Sequence, residues 1–187
     1  MPDGGRSFYT DAREGSAWER HILEDVIGFV DHFFPTIPER RGRAIGGLSM
    51  GGYGAMKLAL KRPDLFGSAS AHSGCHRIVR DVAAGLAPAE HADLLPELRR
   101  IYGAAPSPDT DPFALAARID RAIAPALRFD CGLEDFLLDH SRDFHAHLAR
   151  LGLPHEYREH PGGHTWDYWD AHVPEALAFH AARIYSV

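Results

Sequence analysis

Apolar residues recur at helical spacing over Trp18, Ile22, Val26, Phe29, Val30 and Phe33, which predicts an amphipathic helix near the start of the chain. Ser16 and Glu19 have the S-x-x-E spacing of a capping box that would open it, and Pro35 stops it. Arg43–Leu48 (RAIGGL) is short, apolar and flanked by glycine, the pattern of a buried strand. Met50–Arg62 then reads as a helix ended by Pro63, and Leu65–His72 (LFGSASAH) as a second strand. Ala126–Cys131 (ALRFDC) predicts a third strand. Asp139–Leu151 predicts a helix with Phe144, Leu148 and Leu151 on one face, closed by Gly152. His155–His160 (HEYREH) is a polar fourth strand suited to a sheet edge. From Thr165 the chain reads as helical to Tyr185, with Pro174 expected to break the run into two pieces.

Strands that alternate with helices predict an α/β fold, a parallel sheet covered on both faces. We find no internal repeat, and the chain reads as a single domain over 1–187. Residues 75–121 differ in character, with Pro88, Pro96, Pro106, Pro108 and Pro112 and short helical pieces such as Leu94–Tyr102. Asp111 before Pro112 suits a cap followed by a first-turn proline. This stretch reads as an excursion from the sheet that forms a lid.

Composition narrows the function. At 187 residues, 45% apolar and 25% charged, the chain can build one ordinary globular core. Its formal net charge of −6 offers no basic excess for phosphates, so nucleic acid is not an expected partner. The basic residues are almost all arginine, with lysine only at Lys57 and Lys61. No apolar run approaches the roughly 20 residues of a membrane helix, and no basic-then-apolar leader signals secretion. Cys75 and Cys131 allow one bridge at most and suggest a reducing, cytoplasmic compartment.

Gly47-Leu48-Ser49-Met50-Gly51 matches G-x-S-x-G, with a strand pattern before it and a helix pattern after it. Such a turn exposes a strained serine, and Gly47, Gly51 and Gly52 supply the space it needs. The helix N-terminus favours negative charge developing beside the hydroxyl. A phosphate-binding loop would want G-x-x-x-x-G-K-[ST], and no lysine stands at that place. A serine needs a base. Of 13 histidines, His164 is distinctive because Pro161-Gly162-Gly163 makes a turn after the last strand and before a helix. His160 lies on the strand side of that turn. The i, i+4 pair His160 and His164 does not read as a metal site, because Pro-Gly-Gly separates the two. The orienting acid is expected directly after strand ALRFDC, where Asp135 is the leading candidate and Glu134 and Asp130 compete.

The runs AIGGLSMGGYGAMKLALKRPDLF, SAHSG, CGLEDFLL and PGGHTWDYW together resemble the esterase-D/tributyrin-esterase group of α/β hydrolases. That group is related to S-formylglutathione hydrolases and to feruloyl and acetyl-xylan esterases. The resemblance implies a three-layer hydrolase sandwich in which Ser49 is the nucleophile, Asp135 the triad acid and His164 the base, in the chain order Ser, acid, His. It implies the Met50 N–H as an oxyanion donor, hydrolysis of short-chain acyl esters, and no cofactor or metal. Leu48, Tyr9 and Trp166 are the expected pocket walls, although packing would explain the two aromatics equally well. The thioesterase and the feruloyl or acetyl-xylan activities of the related enzymes are alternatives. A silent fragment that serves as an interaction domain is an alternative of another class.

One departure matters. The group usually has about eight strands and only four are visible here, so the chain reads as the C-terminal half of such a sheet and Met1 as an internal methionine. The loop that supplies the second oxyanion N–H is among what is missing. The nucleophile strand should then present an unpaired apolar edge, covered by the Met1–Thr10 arm or by a second copy in a homodimer.

Overall fold

The computed structural model describes residues 2–86 and 93–184. Met1, Pro88 and the expected helix end at Tyr185 lie outside them. Four strands, β1 (Ala44–Leu48), β2 (Ser68–His72), β3 (Ala126–Gly132) and β4 (His155–His160), form a wholly parallel sheet in the order β1-β2-β3-β4. Each strand returns through a helical crossover, as parallel pairing requires. The second strand begins at Ser68, later than its apolar pattern suggests, because Asp64 and Leu65 lie in a turn after Pro63.

The sheet's two faces carry different chemistry. Ala69, Ala71, Leu127 and Phe129 point one way, into a core built with α3 (Met50–Lys61), α6 (Pro112–Arg118) and α7 (Leu138–Leu151). Their neighbours Ser68, Ser70, Arg128 and Asp130 point to α8 (Trp166–Ile184), where they bond to His180, Glu175 and Tyr168. This alternation is the period of two expected of a strand.

α8 is one helix, not the two pieces expected from Pro174. Proline removes one backbone hydrogen bond, but α8 buries Tyr168 and Trp169 before Pro174 and Ala176 and Phe179 after it. Packing on both sides holds the helix through the defect. The excursion is also packed: α6 is inserted in the main core, while α4 (Ile78–Ala83) and α5 (Leu95–Tyr102) form a second cluster with Phe8 and Tyr53.

The capping box does not form. The first helical stretch runs as α1 (Trp18–Arg20), a π-helical segment (His21–Val26) and α2 (Ile27–Phe33), and Ala17 occupies the N-cap with no side-chain bond. Glu19 is taken instead by the chain's two lysines, at 2.8 Å from Lys57 Nζ and 2.5 Å from Lys61 Nζ. Lys57 is fully buried, and its Nζ also donates to Tyr9 O (2.6 Å) and Thr10 Oγ1 (2.9 Å). A buried ammonium must be compensated, and that demand outweighs a cap worth about 1 kcal/mol.

The apolar stripe of this helix is only partly used. Ile22 is buried, but Phe29 is 57% and Phe33 64% exposed. β1 pairs with β2 on one side and, among the described residues, with no strand on the other. The N-terminal arm does not fill that position. Pro2 and Tyr9 of the arm line the cavity beside β1, and the isolated bridge that follows, between Asp11 and Ala17, lies beyond it.

Burial lowers the Lys57 pKa to about 8, against the pull of Glu19. The native state therefore releases this proton before the unfolded chain does. The cost of holding Lys57 charged is fully present below pH 8 and fades as the pH rises toward the ordinary lysine value of about 10.4. Removing the carboxylate should expose that cost: Glu19→Gln is expected to destabilise by about 3–5 kcal/mol at pH 7, with the deficit shrinking by pH 9.5. Urea denaturation at the two pH values checks this, and an equal deficit at both refutes it.

Candidate active site

The site is built where β1 turns into α3. Ser49 stands at the N-cap of α3 with φ 52° and ψ −119°, the left-handed strain expected of a serine thrust out on a sharp turn. Gly47 makes the turn feasible, since a Cβ there would lie 2.4 Å from the carbonyl carbon and oxygen of Gly51. Gly52 is tight as well, with Ala71 Cβ and Gly74 Cα at 3.1 Å. Gly51 differs from the expectation. A Cβ there meets only Tyr9, at 3.9 Å, so its backbone rather than its missing side chain is what the turn requires.

His164 arrives from the turn after β4 and Asp135 from the turn after β3. His164 Nε2 lies 2.9 Å from Ser49 Oγ. His164 Nδ1 lies 3.0 and 3.1 Å from the two carboxylate oxygens of Asp135. An Nδ1–H donating to the carboxylate leaves Nε2 as the acceptor of the Ser49 hydroxyl. The three residues named from the sequence are thus brought together across 115 positions of chain.

The competing acids are engaged elsewhere. Asp130 accepts from His72 Nδ1 at 2.9 Å and from Tyr168 OH at 3.0 Å. Glu134 accepts from the Gly162 N–H at 2.5 Å while its own N–H donates to Gly162 O at 3.0 Å, which ties the acid turn to the histidine turn. The two turns touch so closely that a Cβ on Gly132 would lie 2.1 Å from Gly162 O. Asp135 is buried, which by itself raises its pKa, but hydrogen bonds from His164, the Ser73 hydroxyl and the Leu137 N–H hold it below its ordinary value.

Two residues of this arrangement were not singled out in the sequence. Ser73, fully buried with φ 51°, presents its hydroxyl to Asp135 and accepts from Trp169 Nε1 at 3.1 Å. Trp169 also sets its ring edge-on to His164 at 4.9 Å. The serine in SAHSG and the second tryptophan of TWDYW were the available signals. Cys75 and Cys131 are free and buried, and burial pushes both thiols up to about 12, so neither competes as a nucleophile.

A cavity of about 580 Å³ opens at Ser49 and runs beside β1 under the first helix. Tyr9, Leu48 and Trp166 all line it, together with Met50 and the apolar Ile22, Val26 and Val30. Among the described residues, none of the excursion lines it. The Met50 N–H is the first of α3 and has no acceptor within the helix. It is therefore open to negative charge developing beside Ser49.

A family described as putative esterase matches residues 1–180. An acetyl esterase from Caldicellulosiruptor saccharolyticus is 32% identical over 186 residues, covering 95% of this chain and 69% of its own length. The fluorophosphonate-binding serine hydrolase F of Staphylococcus aureus superposes with a TM-score of 0.80 at 29% identity, covering 96% of this chain and 69% of that one. An S-formylglutathione hydrolase from Agrobacterium tumefaciens gives 0.77 at 26% identity, over 95% of this chain and 63% of that one. The chain thus spans about two thirds of these relatives. No described helix is long and apolar enough to cross a membrane.

The glycine geometry separates two neighbouring substitutions. Gly47→Ala is expected to abolish native folding or esterolytic turnover, because a backbone must move. Gly51→Ala is expected to keep a melting temperature at or above that of the parent, since alanine favours the helix by up to about 1 kcal/mol. Thermal melts of both variants decide it, and equal behaviour refutes the turn geometry.

Proposed function

This chain belongs to the putative esterase family, and so to the serine-type carboxylic ester hydrolases; from that premise we propose that it hydrolyses short-chain acyl esters through Ser49, His164 and Asp135. The observation that carries the reading is the two-sided contact of His164, one ring nitrogen at Ser49 Oγ and the other at Asp135. His164 takes the hydroxyl proton as Ser49 Oγ attacks the ester carbonyl. Asp135 fixes the imidazole tautomer and stabilises the imidazolium. The Met50 N–H donates to the tetrahedral oxyanion. His164 then gives its proton to the leaving alcohol, which departs and leaves Ser49 acylated. Water, deprotonated by the same histidine, attacks the acyl carbonyl and releases the acid. Asp135, held below its ordinary pKa, stays ionised near neutral pH.

A small acyl group is favoured by the acetyl esterase likeness. Met50 supplies one oxyanion donor. Loss of a single such donor costs an enzyme about 10²–10³ in kcat. We place the protein in the cytoplasm, on its two free thiols. We also propose that a second copy covers β1, because the strand AIGGL carries no charge to deter pairing.

Ser49→Ala should remove turnover of p-nitrophenyl acetate and labelling by a fluorophosphonate, and Asp135→Asn should lower kcat by about 10⁴. Unchanged turnover in Ser49→Ala ends this mechanism, and absence of labelling in the parent favours a catalytically silent domain. Faster hydrolysis of S-formylglutathione or of methyl ferulate than of the acetate would move the assignment to those substrates. Light scattering should show a dimer that Ile45→Lys returns to a monomer; a parent that is already monomeric overturns the second-copy proposal.

A further inference from the structure

We propose that His160, His172 and Glu175 form a binding site for one divalent transition-metal ion, with zinc the best fit, where the end of β4 meets α8. One donor atom from each of the three lies within 4.8 Å of the others. His172 and Glu175 are three residues apart on α8, so both face the same way. His160 is the last residue of β4 and comes to them across the sheet. Its Nε2 is buried with no hydrogen-bond partner and has Glu175 Oε2 at 4.0 Å. The His160 and His172 rings lie parallel, their centroids 4.0 Å apart at 17°. Pro161-Gly162-Gly163 separates His160 from His164. The fold turns His160 to different partners.

An orphaned imidazole nitrogen beside a second imidazole and a carboxylate is a costly arrangement for a protein to bury unless something occupies it. Two imidazoles and one carboxylate suit zinc, nickel or copper rather than calcium or magnesium, and leave a fourth tetrahedral position to water. Zinc bonds of about 2.0–2.2 Å require donors roughly 3.3 Å apart, so the atoms must close by an ångström or so. Glu175, whose side chain is half exposed, is free to swing. Its present partners do not block this. His172 Nδ1 is 3.2 Å from Glu175 Oε1, a contact that a bridging ion replaces. Arg128 bonds Glu175 but also holds Glu156 at 3.2 Å, so the guanidinium keeps a carboxylate when Glu175 turns away. Arg183 is paired with Glu156 as well, at 3.0 Å.

The position gives such an ion a consequence. His160 directly precedes Pro161-Gly162-Gly163, the turn that delivers His164. An ion held by His160 and α8 would fix both ends of that turn, since α8 begins at Trp166.

Protein stripped with a chelator and titrated with zinc should bind one ion tightly, and cobalt in its place should give the visible spectrum of a tetrahedral site. His172→Ala and Glu175→Gln should each weaken zinc at least about tenfold, with circular dichroism showing that both variants are folded. His145→Asn is the control, because His145 and His155 form another close histidine pair, at 2.7 Å. Absence of binding at micromolar zinc overturns the site. So does binding that survives His172→Ala or is lost in His145→Asn. These readings do not depend on esterase activity.

Discussion

The tight turn between β1 and α3 is the constraint on which the rest depends. Gly47 and Gly51 come within a distance that admits no Cβ at position 47, and the strain is concentrated in Ser49 at φ 52°. That single conformation sets the hydroxyl at the C-terminal end of the sheet and leaves the first N–H of α3 without a helical acceptor. Left-handed serine costs of order 1–3 kcal/mol. The surrounding core must supply it, and α3 does so by burying Met56, Leu58, Ala59 and Leu60.

The partners of Ser49 are held by contacts between loops rather than by regular structure. The turns after β3 and β4 are joined by two hydrogen bonds between Glu134 and Gly162. Ser73 and Trp169 then pack behind Asp135 and His164. Asp135 and His164 are therefore positioned relative to each other before they are positioned relative to the serine. This accords with general-base geometry, where an orientation error of about 1 Å is expensive.

Much of this was legible in the chain. The strand positions, the parallel α/β architecture, and Ser49, Asp135 and His164 all follow from short apolar runs separated by helical periods and from glycine placement. What was not legible had a tertiary cause in each case. Glu19 has the spacing of a cap, but a cap residue competes with whatever else its side chain can reach, and the two lysines lie 38 and 42 positions away. Pro174 signals a break locally, yet burial of Tyr168, Trp169, Ala176 and Phe179 overrides it. The stripe Phe29, Val30 and Phe33 reads as core and is solvent-facing, because periodicity reports an apolar face without reporting what packs on it. Ser73 and Trp169 are joined to each other across 96 positions, and Ser73 meets Asp135 only through the fold, which no local pattern carries.

The polar seam beneath α8 has a mechanical meaning. His180 bridges the hydroxyls of Ser68 and Ser70, at 2.7 and 2.9 Å, near the far end of the helix. Apolar packing of α8 fixes its distance from the sheet, and the hydrogen bonds add a directional constraint along its axis. A bidentate bridge resists drift along that axis. It works as a fixed stop, and the 19-residue rod transmits that setting to its opposite end, where Trp169 meets His164. The placement of the His164 ring is thereby tied to a point more than two helical turns away along α8.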